Sequence, residues 1–178
     1  MIHKRERTES KFEVITHALR LRKKMTILIF KTMSWNYAKD QAYLQGKIDK
    51  QDLTISEGLY LDKQMKLNEA AYNWFIEEER STLIKALRDM VENITLANSI
   101  YAINIAECDL RRNYQDIAIG KCNFLLQELQ YVVQILPLDF NDILSIVNDI
   151  EKEIALLKGW RTSDNKNRKK ILSKVNSD

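Results

Sequence analysis

Proline occurs once in the 178 residues and glycine four times. Sheets joined by tight turns need both residues as punctuation, whereas helix interiors exclude proline and disfavour glycine. Their scarcity points to long helices joined by few loops. The two cysteines, Cys108 and Cys122, fall fourteen residues apart within one helical pattern. At 1.5 Å per residue that is about 21 Å, too far for a disulfide. Free thiols predict a reducing, cytoplasmic setting. No stretch approaches 18 uninterrupted apolar residues, so no membrane span is expected. The opening residues lead into no apolar run, so no secretory leader is expected either.

Histidine is also scarce. His3 and His17 stand alone near the start. A bundle-core metal site of the ferritin-like kind needs Glu-x-x-His pairs on facing helices. Glu13 precedes His17 by four residues rather than three, and no second pair exists. The four glycines (Gly46, Gly58, Gly120 and Gly159) are scattered and form no phosphate loop. Arg111 and Arg112 lie close enough after Cys108 to lower a thiol pKa, but a thiol packed between helices is the simpler reading. These absences argue against an enzyme, and no cofactor or metal is expected.

What is present is helical periodicity. Phe140, Ile143, Val147, Ile150, Ile154 and Leu157 step alternately by three and four residues, one face of an α-helix. Pro137 stops the element before it, Asp139 can cap the new one, and Gly159 stands where a left-handed C-cap would end it. Leu110, Tyr114, Ile117, Ala118, Leu125, Leu129, Val132, Val133 and Leu136 form the stripe of the preceding helix. Ala71, Trp74, Phe75, Leu83, Leu87, Met90, Val91 and Ile94 form an earlier one. Phe12, Ile15, Leu19, Met25, Leu28 and Ile29 form the first. The spacing predicts helices over about 10–35, 68–98, 106–136 and 139–158. The expected architecture is all-α: an antiparallel up-and-down four-helix bundle over residues 1–158. Residues 36–67 would be an inserted excursion, with a short helix begun by the capping box Thr54-Ile55-Ser56-Glu57. Residues 159–178 would be a basic tail.

Charge is distributed unevenly. The formal net charge is +3. Residues 1–24 hold eight Lys/Arg against three Glu, a net of about +5, and residues 159–178 add about +4. The body between them is therefore mildly acidic. Basic ends suit a phosphate backbone, because each cation placed there releases condensed counterions. Helical cations near aromatics such as Tyr101 and Trp160 can also clamp RNA and stack its bases. The competing reading is a solvated charged face, with Trp160 as an apolar lid on the bundle.

Four segments carry a family resemblance: Leu156-Leu157-Lys158-Gly159-Trp160-Arg161-Thr162-Ser163-Asp164-Asn165-Lys166, Asn98-Ser99-Ile100-Tyr101, Arg111-Arg112-x-Tyr114-Gln115, and Glu128-Leu129-Gln130 leading to Leu136-Pro137. Together they make residues 90–166 resemble the accessory variability determinant proteins of diversity-generating retroelements. More distantly, they resemble the four-helix-bundle proteins encoded in ribosomal-RNA intervening sequences. The resemblance implies a non-catalytic subunit, assembled as a homopentameric ring. Such a ring binds a reverse transcriptase and its template RNA and supports mutagenic cDNA synthesis. Arg111 and Arg112 match the family's basic helix positions. With Lys121, Arg161, Lys166, Arg168, Lys169 and Lys170 they are the expected RNA contacts. The alternative is a structural bundle that mediates protein–protein assembly without nucleic acid.

Overall fold

The structure, a computed structural model, describes residues 4–33, 37–135 and 140–175. It is all-α. Five helices follow in order: α1 Lys4–Thr32, α2 Tyr37–Asp49, α3 Ile55–Ser99, α4 Ile105–Ile135 and α5 Phe140–Val175. Helix α1 packs on α3 and α5, α3 on α4, and α4 on α5, so four long helices close a ring of neighbours around one core. Among the described residues, helix α2 packs on α3 alone.

Side-chain contacts set the register. His17 meets Glu153 and Lys24 meets Asp149, so α1 and α5 run antiparallel. Arg161 pairs with Asp116 and Arg168 with Asp109, which makes α4 antiparallel to α5. Phe75 lies edge-on to Tyr131 at 6.0 Å between ring centroids, and Lys121 reaches Asp89 at 2.7 Å, so α3 opposes α4. The result is an up-and-down antiparallel bundle, as the periodicity predicts.

The core is built from the expected faces. Leu125, Leu129, Ile143, Ile150 and Ile154 are buried, and Val133 and Val147 pack against them partly exposed. Met25, Leu83, Leu87, Met90, Ile94 and Leu157 complete the interior. Three of the predicted faces need correction. Leu19 on α1, Trp74 on α3, and Leu110 and Ile117 on α4 are exposed, not buried. On α1 the inward line runs instead through Val14, Ala18, Leu21 and Met25.

The excursion also takes a different form. Thr54 does cap a helix: its hydroxyl accepts from the Glu57 backbone N–H, and its own N–H donates to Glu57 Oε2 at 2.9 Å. That helix is the start of α3 itself, unbroken for 45 residues. At 1.5 Å per residue α3 is about 68 Å long, against about 47 Å for α4. Its first turns project past the end of α4 and pair only with α2. Gln51, in the left-handed conformation at φ 59°, reverses the chain between α2 and α3. Gly58 lets the two helices close up, since a Cβ there would stand 2.4 Å from Ile48 Cδ1.

Gly159 is not a C-cap. Helix α5 runs through it to Val175, so residues 159–175 are helix rather than tail. The continuation is held by Trp160, buried against the core, and by Asp164, which accepts from α4. The expected Pro137 stop and Asp139 cap lie outside the described residues.

Two substitutions check this fold. Ile150→Ala, at a fully buried site, should cost about 2–5 kcal/mol in urea unfolding. A Cβ at Gly159 would meet nothing within 4 Å. Gly159→Ala should therefore stabilise the protein by about 0.5–1 kcal/mol, as in any helix interior. A C-cap glycine would respond with the opposite sign.

Candidate nucleic-acid interface

The eight expected RNA contacts divide into three groups. Arg111, on the second turn of α4, is only 5% exposed. It donates to Asp164 Oδ1 at 3.2 Å and to the Ile100 carbonyl. Gln115, one turn on and fully buried, donates to Asp164 Oδ2 at 2.8 Å. Asp164 thus collects donors from two turns of α4, and Arg111 also fastens the loop between α3 and α4. Its guanidinium is turned inward and spent on the fold.

Four more expected contacts reach solvent but hold acidic or amide partners. Exposed Arg112 donates to Asn165 Oδ1 at 3.2 Å and lies 3.7 Å from Asp116. Arg161 pairs with Asp116, and Lys121 with Asp89. Arg168 grips Asp109 with two donors, at 2.7 and 3.2 Å. This fork holds the Asp109 carboxyl below the usual carboxylate range. These pairs lie along the α4–α5 and α3–α4 seams, where opposite charges offset one another.

Lys166, Lys169 and Lys170 remain. All three are exposed and make no ion pair among the described residues. Their spacing of three and four residues sets them on one face of α5. Beside them runs the α3–α4 loop, where Asn167 donates to the Ala102 carbonyl at 3.5 Å. The adjacent Tyr101 is 81% exposed. The register of α1 on α5 brings the backbone of residues 4–11, with Lys4, Arg5, Arg7 and Lys11, alongside about residues 160–167 of α5. Both basic ends of the chain therefore converge on one pole of the bundle. Trp160, by contrast, is the buried lid.

Elsewhere two thiols and a glutamate are buried. Burial pushes the Cys122 thiol up to about 12, and it raises Cys108 despite the nearby Arg111. Neither is poised as a thiolate nucleophile. Glu79 is raised by burial and by Glu128 beside it. Among the described residues no group of three or more His, Cys, Asp or Glu side chains could hold a metal ion. An open cleft of about 720 Å³ between α2 and α3 is lined by Leu44, Ile48, Ile55, Leu59 and other side chains, with Asp62 its one acid. Among the described residues no helix is long and apolar enough to cross a membrane.

No family model, curated protein or solved structure matches the chain.

Sequence reasoning missed one polar pair. His17 Nδ1 lies 2.6 Å from Glu153 Oε2, and the Glu153 side chain is wholly buried. Burial lifts the Glu153 carboxyl to about 8 and lowers His17. The fold therefore favours an uncharged pair, with the carboxyl donating to imidazole. The only signal in the sequence was a glutamate between two apolar positions of α5, too common to mark a partner 136 residues away.

The pair sets two limits on stability. Glu153 has a folded pKa above its ordinary 4.5. Its contribution is complete below that value and is lost as pH rises through about 8. His17 is shifted down from 6.5, so its contribution is present above that value and is lost on acidification. Glu153→Gln should remove the alkaline limb and keep the acid one, gaining about 1–3 kcal/mol over wild type above pH ~8. Thermal melts across pH check this; parallel alkaline limbs in the two proteins would show that Glu153 is not the titrating group.

Proposed function

We propose that this chain is a non-catalytic accessory bundle that binds template RNA and the reverse transcriptase that copies it. The observation that supports the RNA part is the basic pole. Most lysines and arginines along the helix seams carry internal partners, yet Lys166, Lys169 and Lys170 share an exposed face with none among the described residues. An exposed tyrosine stands on the loop that borders them. Phosphate contacts from lysines and stacking from an aromatic are the two means by which proteins hold single-stranded RNA without a dedicated pocket. The polymerase comes from the resemblance to accessory variability determinants. Buried free thiols fit the cytoplasmic setting that this role needs.

The reading moves the RNA contact away from Arg111. Lys166→Ala, Lys169→Ala and Lys170→Ala combined should flatten the slope of log affinity against log salt by about 2–3, with the melting temperature unchanged. Arg111→Ala should instead lower stability by about 1–3 kcal/mol, because it leaves Asp164 and the Ile100 carbonyl short of a donor. RNA titrations over a salt series, with melts of each variant, separate the two effects. If the lysine triple variant keeps the wild-type slope and still co-purifies with the polymerase, the bundle acts through protein contacts alone.

A further inference from the structure

The outward face of α4 carries a pattern that neither the core nor the basic pole explains. Leu110, Ile117, Phe124 and Tyr131 recur every seven residues, and they are 48%, 38%, 37% and 47% exposed. A seven-residue repeat drifts only about 20° per repeat on a straight helix, so the four form one line. Three residues after each member stand Asn113, Gly120, Gln127 and Gln134, all exposed and all uncharged. One repeat earlier the same position is Ala106, exposed as well. From Ala106 to Gln134 this double line holds no charge, in a chain that is 30% charged. It lies opposite the residues of α4 that fill the core.

A heptad line of large apolar residues beside a line of small or amide residues is the seam of a two-helix coiled coil. What fits it is another helix, and the sizes select which. In an antiparallel pair, each residue of one line faces a residue of the other line on the partner helix. With α4 set against α4 of a second copy about a two-fold axis near residues 118–119, Tyr131 meets Ala106 and Phe124 meets Asn113. Ile117 meets Gly120, where an added Cβ would find nothing within 4 Å, so the two backbones can approach. Large side chains fall on small ones at each of these levels. A parallel pair would set Phe124 on Phe124 and Gly120 on Gly120, crowding one level and emptying the next. The charges on one flank agree. Asp109 and Asp116 occupy the first half of α4, and the matching positions of the second half are Asn123 and Gln130. Antiparallel pairing faces acids with amides.

We propose that α4 is an isologous dimer seam, on which a second copy of this chain docks its own α4 antiparallel across a two-fold axis. The seam is separate from the basic pole and does not depend on the RNA reading.

Sedimentation of the wild-type protein should give a dimer mass that falls to the monomer on dilution. Phe124→Glu should give a monomer at every loading with unchanged helicity, since the site is on the surface. Orientation has its own test. Leu110→Cys and Gln127→Cys proteins, mixed and oxidised, should cross-link to each other at least about tenfold more than either does to itself, because the antiparallel register sets these positions face to face. A wild-type monomer at all concentrations would overturn the proposal, and so would a pentamer, or a dimer that survives Phe124→Glu. Self-cross-linking of Gln127→Cys in preference to the mixed pair would overturn the antiparallel seat.

Discussion

The bundle depends on one carboxylate. Asp164 accepts hydrogen bonds from Arg111 and Gln115, and Arg111 carries the tie on to the Ile100 carbonyl. Three segments, α4, α5 and the loop that ends α3, are thereby held at one level. A half-buried carboxylate that receives charged and amide donors is costly to strip and rigid while satisfied. Its position, five residues beyond Gly159, also shows why α5 does not stop where its apolar line falters. Another turn of helix is needed to bring the acceptor opposite its donors.

The same economy governs the rest of the charge. A helical surface rich in lysine and arginine invites the assumption that its cations are offered outward. Here Arg112, Lys121, Arg161 and Arg168 each lie against an aspartate of a neighbouring turn or helix. Exposed pairs of this kind add little stability, but they flatten the field along the seams. Among the described residues, the exposed cations without such a partner include Lys166, Lys169 and Lys170 towards the end of α5. A formal charge of +3 says little about a molecule whose cations are sorted in this way.

Much of this was legible in the sequence, and the gaps have physical causes. The four long helices, their antiparallel order and the lines through Leu125, Leu129, Ile150 and Ile154 follow from period and scarce breakers. Leu110 and Ile117 fit a core stripe by spacing alone, because a seven-residue step satisfies an inner and an outer line equally; only the neighbouring helices decide which faces in. Trp74 is exposed because it lies nine residues before Leu83, about 180° round α3 from it, on the face turned away from the core. Gly159 stands just past Leu157 and Lys158, where a cap would stand. The line Leu157, Trp160, Asp164, Arg168 and Ile171 kept helical spacing, but polar members hid it. Arg111 was the hardest case. Arginine is seldom buried unpaired, and its partner lies 53 residues away, beyond the reach of any local pattern.

The length of α3 has a consequence for time rather than for shape. Its 45 residues form one uninterrupted hydrogen-bond ladder, yet the ladder crosses two environments. From about Phe75 onward it is flanked by α1 and α4, with Leu83, Leu87, Met90 and Ile94 sealed in the interior. Before that it leans on α2 alone, with Ile55, Leu59 and Tyr60 open to water. Amide protons exchange with solvent at rates set by the cost of local opening, and that cost tracks the apolar contact around each turn. A single helix can therefore exchange quickly at one end and slowly at the other, with no break in its backbone to mark the change. The fast half can fray and re-form while the bundle around the slow half stays closed.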